Sequence, residues 1–173
     1  MIAAEETHTD EAVQDFQQCL HYRPDFVVAL LNLANLYRRQ KQFADAEPLL
    51  NRAIQAEPEN PEANYSLGML YAQQNETVKA EQSFQNALKV RPDYADALNN
   101  YGVLLVRGQH YAEAEQKFRS CIQANPKFDQ AYLNLARLYV LLNEKDKARE
   151  VLQELLRQQP EHQMAQQALK MLQ

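Results

Sequence analysis

The sequence predicts an all-α chain of repeated helix–turn–helix hairpins, and three observations carry that reading. Prolines at 24, 58, 92, 126 and 160 stand 34 residues apart. Small and large apolar residues recur at fixed places within that period. Only three glycines occur, and alanine, leucine, glutamine and glutamate are abundant, a composition that favours helix. The stretch 61–94, PEANYSLGMLYAQQNETVKAEQSFQNALKVRPDY, shows the unit most plainly. Leu67, Gly68 and Tyr71 form one stripe of a short helix, and Ala80, Phe84, Ala87 and Leu88 form the stripe of a second. Between them QNET makes a polar corner where Asn75 can take the left-handed conformation. Such a hairpin cannot bury its apolar faces alone, so neighbouring copies must cover them.

On the 34-residue ruler the chain holds four full units, 27–60, 61–94, 95–128 and 129–162, with positions numbered here from 1 within each. Position 8 reads Ala34, Gly68, Gly102, Ala136; position 20 reads Ala46, Ala80, Ala114, Ala148; position 24 reads Leu50, Phe84, Phe118, Leu152. Small residues recur where helices must approach closely and large ones where a gap must be filled. Leucine at Gly102 would force a helix pair apart, whereas alanine is expected to be tolerated, because Ala34 and Ala136 hold the same position. Period and pattern resemble the tetratricopeptide repeat (TPR), whose signature is W-x2-L-G-x2-Y, then A-x3-F, then P. The resemblance covers nearly the whole chain. Departures are mild: position 4 has no Trp but Leu30, Asn64, Leu98 and Tyr132, and Leu105 replaces the tyrosine found at Tyr37, Tyr71 and Tyr139. The resemblance implies an all-α, right-handed superhelical solenoid of antiparallel helix pairs.

Taken in order, residues 1–9 show no apolar period and read as a disordered leader. Residues 10–26 continue the register backwards, with Ala12, Phe16 and Cys19 at positions 20, 24 and 27, so they form the second helix of a repeat lacking its first. That half repeat is either the cut end of a longer array or a surface that recruits another copy of the chain as a homodimer. In repeat 1 (27–60) the helices are expected over about 27–39 and 44–56, with Pro48 harmless in a first turn. Repeat 2 (61–94) begins with Asn60 as N-cap and Pro61 as first helical residue. Repeat 3 (95–128) turns at Gly108–Gln109, and repeat 4 (129–162) turns at Asn143. Residues 163–173 form a C-terminal cap helix, where Lys170 replaces the small residue of position 8 and leaves no room for a further close helix.

Composition narrows the function classes. Net charge is −5, so the chain as a whole offers no attraction to nucleic acid or anionic lipid. No apolar run approaches the roughly 18 residues of a membrane span. The opening MIAAEETHTDE lacks the basic flank and apolar core of a signal peptide, so a cytoplasmic protein is expected if this N-terminus is natural. Cys19 and Cys121 share position 27 three periods apart, too far for a mutual disulfide, and read as buried apolar residues. His8, His21, His110 and His162 have no metal-ligand spacing, and no phosphate loop or nucleophile elbow occurs. No cofactor, no metal and no enzyme are expected.

The binding candidates lie on the first helix of each repeat. Positions 4, 7, 8 and 11 face inward; at about 100° per residue, positions 2, 5, 6, 9, 12 and 13 face the other way. The family resemblance makes this second face the lining of a concave peptide-binding groove. Repeat 1 supplies Asn32, Asn35, Arg38 and Arg39; repeat 2 supplies Tyr65, Ser66 and Met69. Repeat 3 supplies Asn99, Asn100, Val103 and Arg107, and repeat 4 supplies Asn134 and Arg137. At position 6, Asn32, Ser66, Asn100 and Asn134 form a ladder of short polar groups that can grip a peptide backbone. It resembles the asparagine ladder of O-linked N-acetylglucosamine transferase arrays, without a glycosyltransferase domain in these residues. Four arginines against Glu62 and Asp96 make this face basic on an acidic chain. Leu31, Met69 and Leu133 on the same face read equally well as packing between repeats. The lysines of the chaperone-tail clamp found in some relatives are missing. The sequence therefore points to a non-catalytic scaffold holding an extended, acidic or mixed-polarity segment. The rival is a structural or self-associating module of a longer array.

Overall fold

The computed structural model describes the backbone of residues 2–172 and the side chains of 10–172. The helices fall into two compact units, Met1–Pro92 and Asp93–Gln173. The first contains α1 (Ile2–Tyr22), α2 (Val27–Arg39), α3 (Phe43–Ala56), α4 (Pro61–Gln73) and α5 (Thr77–Val90). The second contains α6 (Ala95–Arg107), α7 (Tyr111–Ala124), α8 (Asp129–Leu141), α9 (Lys145–Gln158) and α10 (Gln163–Met171). In each unit consecutive helices pack as antiparallel pairs, and the first helices of successive pairs also touch, α2 with α4 and α6 with α8. This is the all-α solenoid of paired helices that the period demands.

Helix α1 begins at Ile2, so the expected leader is helical backbone rather than irregular chain; Met1 and the side chains of 2–9 lie outside the described residues. The physical reason is local: IAAEETHTD has neither glycine nor proline, and its alanines and glutamates are good helix formers.

All four hairpin turns are built alike. Lys41, Asn75, Gln109 and Asn143, each at position 15, have φ of 61°, 61°, 63° and 61°. The next amide reaches back five residues to a carbonyl, Gln42 to Tyr37 (2.8 Å), Glu76 to Tyr71 (2.9 Å), His110 to Leu105 (2.9 Å) and Glu144 to Tyr139 (2.8 Å). Each left-handed residue donates to the carbonyl three back, as in Gln109 to Val106 at 3.1 Å, which completes a Schellman turn. Gly108 itself has φ −79°, so the conformation that glycine would ease falls on its neighbour Gln109.

Helix α3 starts at Phe43, one residue earlier than expected, which puts Pro48 in the second turn. The carbonyl of Ala44 then has no intrahelical donor, but both residues are exposed and water can take that place. The capping of α4 follows the sequence: Asn60 Oδ1 accepts from the amides of Glu62 (3.0 Å) and Ala63 (3.1 Å), with Pro61 at the first helical position.

The core repeats with the sequence. Ala46, Ala80, Ala114 and Ala148 are fully buried, and Leu50, Phe84, Phe118 and Leu152 fill the space beside position 8. The two glycines there answer to the two phenylalanines. A Cβ on Gly68 would lie 2.7 Å from Phe84 Cδ1, and one on Gly102 would lie 2.6 Å from Phe118 Cε1. Alanine is therefore not the mild replacement that Ala34 and Ala136 suggest, because those two repeats carry leucine, not phenylalanine, at position 24. Cys121 is buried, its Sγ 3.2 Å from the Ala95 carbonyl, and burial, aided by Asp96, pushes its thiol up to about 12. Cys19 is half-buried.

Candidate functional site

The faces that could bind a partner are set by ties between successive hairpins. In the first unit the Tyr71 hydroxyl on α4 donates to Glu47 Oε1 on α3 at 2.6 Å. Burial, then this hydrogen bond, pushes the Tyr71 phenol up to about 12. In the second unit Tyr139 on α8 donates to Glu115 Oε1 on α7 at 2.6 Å, and Arg119 bonds both Glu115 (2.9 Å) and the Tyr139 oxygen (2.6 Å). Burial pushes the Glu115 carboxyl up, but the bonds from Tyr139 and Arg119 outweigh it and hold the group below its ordinary 4.5. Tyr139 is raised to about 12, chiefly by burial and next by Glu115. These ties were not read from the sequence, although a signal was there: glutamate recurs at position 21, in Glu47, Glu81 and Glu115, ahead of the tyrosines at position 11.

With hairpins so fixed, α2 and α4 present one face in the first unit. Asn32 and Arg39 are exposed, and Asn35, Arg38, Tyr65 and Met69 are half-buried. Arg38 Nε donates to Asn35 Oδ1 at 3.4 Å. Burial lowers the Arg38 pKa; Tyr65 opposes this and Arg39 adds to it, which places the three groups together. Ser66 is only 5 % exposed and Leu31 is buried, so both serve packing.

In the second unit, α6 and α8 present Val103, Arg107, Asn134 and Arg137, with Arg107 and Arg137 exposed. The amides there are already engaged. Gln130 Nε2 donates to Asn134 Oδ1 (3.1 Å), and Asn134 Nδ2 donates to Asn99 Oδ1 (2.9 Å). Asn99 is buried, and Asn100 donates to the Asp96 carbonyl at 2.9 Å. Leu133, like Leu31, is buried as packing. The position-6 ladder is thus four different environments, not one row of equivalent groups.

Lys79 pairs with Glu76, Arg119 with Glu115, Lys147 with Glu144 and Arg149 with Asp146, all on or beside second helices. Arg39, Arg107 and Arg137 have no carboxylate partner among the described residues. Among the described residues no group of three or more His, Cys, Asp or Glu is placed to hold a metal ion. No described helix is long and apolar enough to cross a membrane.

Two family descriptions of the tetratricopeptide repeat match this chain, one over residues 3–52 and 105–172, the other over 31–85 and 70–127. The chain belongs to the tetratricopeptide repeat family. Solved structures share the fold of this tetratricopeptide chain. MamA has a TM-score of 0.77 and 23 % identity, over 91 % of this chain and 92 % of that one. YrrB, described as a tetratricopeptide protein with an unusual peptide-binding site, has a TM-score of 0.71 and 21 % identity, over 98 % and 87 %. Yeast Tom70 has a TM-score of 0.80 and 22 % identity, over 96 % of this chain and 36 % of its own. Among curated proteins the chain is similar to protein O-mannosyl-transferase Tmtc3 of Drosophila melanogaster, 43 % identical over 58 residues. That match covers 34 % of this chain and 6 % of the relative, so the chain spans a small part of that protein's length.

Proposed function

We propose that this chain holds an extended, acidic or mixed-polarity segment of another protein on the outward faces of its first helices, without cofactor or catalysis. The observation that carries the proposal is the placement of Arg39, Arg107 and Arg137, exposed and without a carboxylate partner among the described residues, on first helices of a chain whose net charge is −5. An exposed guanidinium offers a planar fork of donors to an incoming carboxylate at little desolvation cost. Tyr65, Met69 and Val103, all half-buried, add apolar contact beside it. The bonded state of Asn99, Asn100 and Asn134 shifts weight from the amide ladder to the arginines, because a peptide would first have to exchange those bonds. That YrrB has a peptide-binding site on the same fold supports the reading. The test is selection from a random peptide library by the wild-type chain and by Arg39→Ala, Arg107→Ala and Arg137→Ala. Enrichment of Asp and Glu by wild type, lost in the variants and at high salt, is expected. Selection indifferent to all three arginines would overturn it.

A second reading has its own observation. Ala12, Phe16 and Cys19 on α1 are half-buried, whereas residues at the same positions in the full repeats are buried to within 1 %. That uncovered stripe supports self-association through α1, and sedimentation over a concentration series decides it: a constant monomer mass rejects the dimer.

A further inference from the structure

Helix α8 buries Leu135, Leu138 and Tyr139 and leaves an outward stripe of Gln130, Asn134, Arg137 and Leu141 at helical spacing, with Val140 beside Leu141. The chemistry changes along that stripe. Gln130 and Asn134 are bonded to each other, and Arg137 is exposed without a carboxylate partner among the described residues. Beyond Arg137 the helix end turns apolar: Val140 is 46 % exposed, Leu141 58 % and Leu142 36 %. Position 13, held by Leu141, carries Arg39, Gln73 and Arg107 in the other repeats. Position 14, held by Leu142, carries Gln40, Gln74 and Gly108. The other exposed large apolar side chains among the described residues, such as Tyr22, Val28, Val78 and Met164, stand singly in the sequence. Single exposed apolar residues are ordinary, whereas a contiguous exposed run marks a surface that meets a partner. Helix α6, which touches α8, adds exposed Arg107 and half-buried Val106 at the matching positions 13 and 12.

We propose that the aliphatic end of α8 anchors one large apolar side chain of the bound acidic segment, within about two residues of the acidic residue that Arg137 takes. The anchor rests on the arginine reading above and narrows it, from acidic segments in general to those with a leucine-sized residue beside the acid. The spacing follows from the helix. Arg137 and Leu141 lie one turn apart, with Cβ atoms about 5–6 Å from each other. An extended peptide advances about 3.3 Å per residue. Neighbouring or next-but-one residues of one extended segment therefore reach Arg137 with a carboxylate and Val140 and Leu141 with an apolar side chain. The two contacts differ in kind: the guanidinium fixes the carboxylate through directed hydrogen bonds, and the aliphatic contact removes apolar surface from water. A wholly acidic segment would leave Leu141 exposed, and an uncharged apolar helix would leave Arg137 without a carboxylate.

The experiment adds the full chain at low salt to two fluorescently labelled peptides and reads their anisotropy. One is Gly-Ser-Asp-Glu-Leu-Ser-Gly-amide, and the other has Ser in place of Leu. The Leu peptide is expected to bind about ten-fold more tightly, the scale set by burying one aliphatic side chain. Val140→Ala with Leu141→Gln recreates Ala72 and Gln73 of repeat 2 at two exposed positions, so the fold should be kept. That double variant should lose the difference between the peptides and keep the weaker, charge-driven binding of both. Arg137→Ala should weaken both peptides alike. Equal affinity of the two peptides for wild type, with both weakened by Arg137→Ala, would overturn the anchor and leave the arginine reading intact. Affinities indifferent to both Arg107→Ala and Arg137→Ala would overturn the arginine reading and the anchor with it, as would binding of neither peptide. A Leu peptide that keeps its advantage on the double variant makes its apolar contact elsewhere and overturns the anchor alone.

Discussion

Gly102 lies under the ring of Phe118, so close that a methyl group there would sit 2.6 Å from Cε1 and 2.9 Å from Cδ1. Gly102→Ala should therefore destabilise the chain by about 1–3 kcal/mol, the usual cost of overpacking a filled core. Phe118→Leu alone opens a void. The double change Gly102→Ala with Phe118→Leu recreates the pairing of Ala34 with Leu50 and Ala136 with Leu152. It should be more stable than the sum of its parts, a coupling that urea denaturation of the four-member cycle measures. Strict additivity would show that the two side chains do not compete for one space.

The left-handed turn residues give a prediction of opposite sign. Gln109 holds φ 63° with a full side chain, a conformation that costs a non-glycine residue about 1–2 kcal/mol. Gln109→Gly should raise stability by about 0.5–1 kcal/mol after the extra freedom of glycine in the unfolded chain is counted. A β-branched residue, as in Gln109→Val, should lower it. Thermal melts of the two variants that move in the same direction would contradict the turn geometry.

The Tyr139–Glu115–Arg119 tie predicts a pH dependence. Because Glu115 is held below 4.5 in the folded chain, its contribution is complete above the unfolded value and is lost as pH falls through the lower folded one. Tyr139→Phe removes one of the bonds that depress it and should cost about 1 kcal/mol near neutral pH. The gap between wild type and variant should narrow as pH drops below 4.5, where protonation removes the acceptor. Stability curves from pH 3 to 7 that stay parallel would rule this out.

The thiols should separate cleanly. Cys121, buried and raised to about 12, should react with a thiol reagent only after denaturant opens the second unit. Cys19, half-buried on α1, should react faster. Mass spectrometry of labelled peptides over time reads both, and prompt labelling of Cys121 in buffer alone would contradict its burial.

Much of this architecture was legible because the 34-residue period samples each environment four times. Positions 8, 20 and 24 gave the core, and Asn60–Pro61 gave a helix start that the structure places at the same residue. What stayed hidden depends on pairs rather than positions. Gly102 looks like Ala34 until Phe118 is considered, and the Tyr139 hydroxyl needs Glu115, 24 residues earlier, to be understood. The start of α1 was missed because residues 2–9 lack an apolar period, yet helix propensity alone extends the backbone order there. On the candidate face, the arginines could be named from spacing, but the capture of Asn134 by Gln130 and Asn99 could not. A side chain's solvent face is a property of one helix, whereas its free hydrogen-bonding capacity is set by its neighbours.

The half-covered α1 also gives unfolding a direction. In the first unit α2 to α5 form two complete hairpins locked by Tyr71 and Glu47, whereas α1 is tied to the neighbouring hairpin by a neutral bond from Gln17 to Tyr37 at 2.9 Å. In a linear array each element's persistence is its own stability plus the interfaces it shares, and α1 shares fewer of them. Its amides should exchange with deuterium before those of α4, so that opening within the first unit starts at α1.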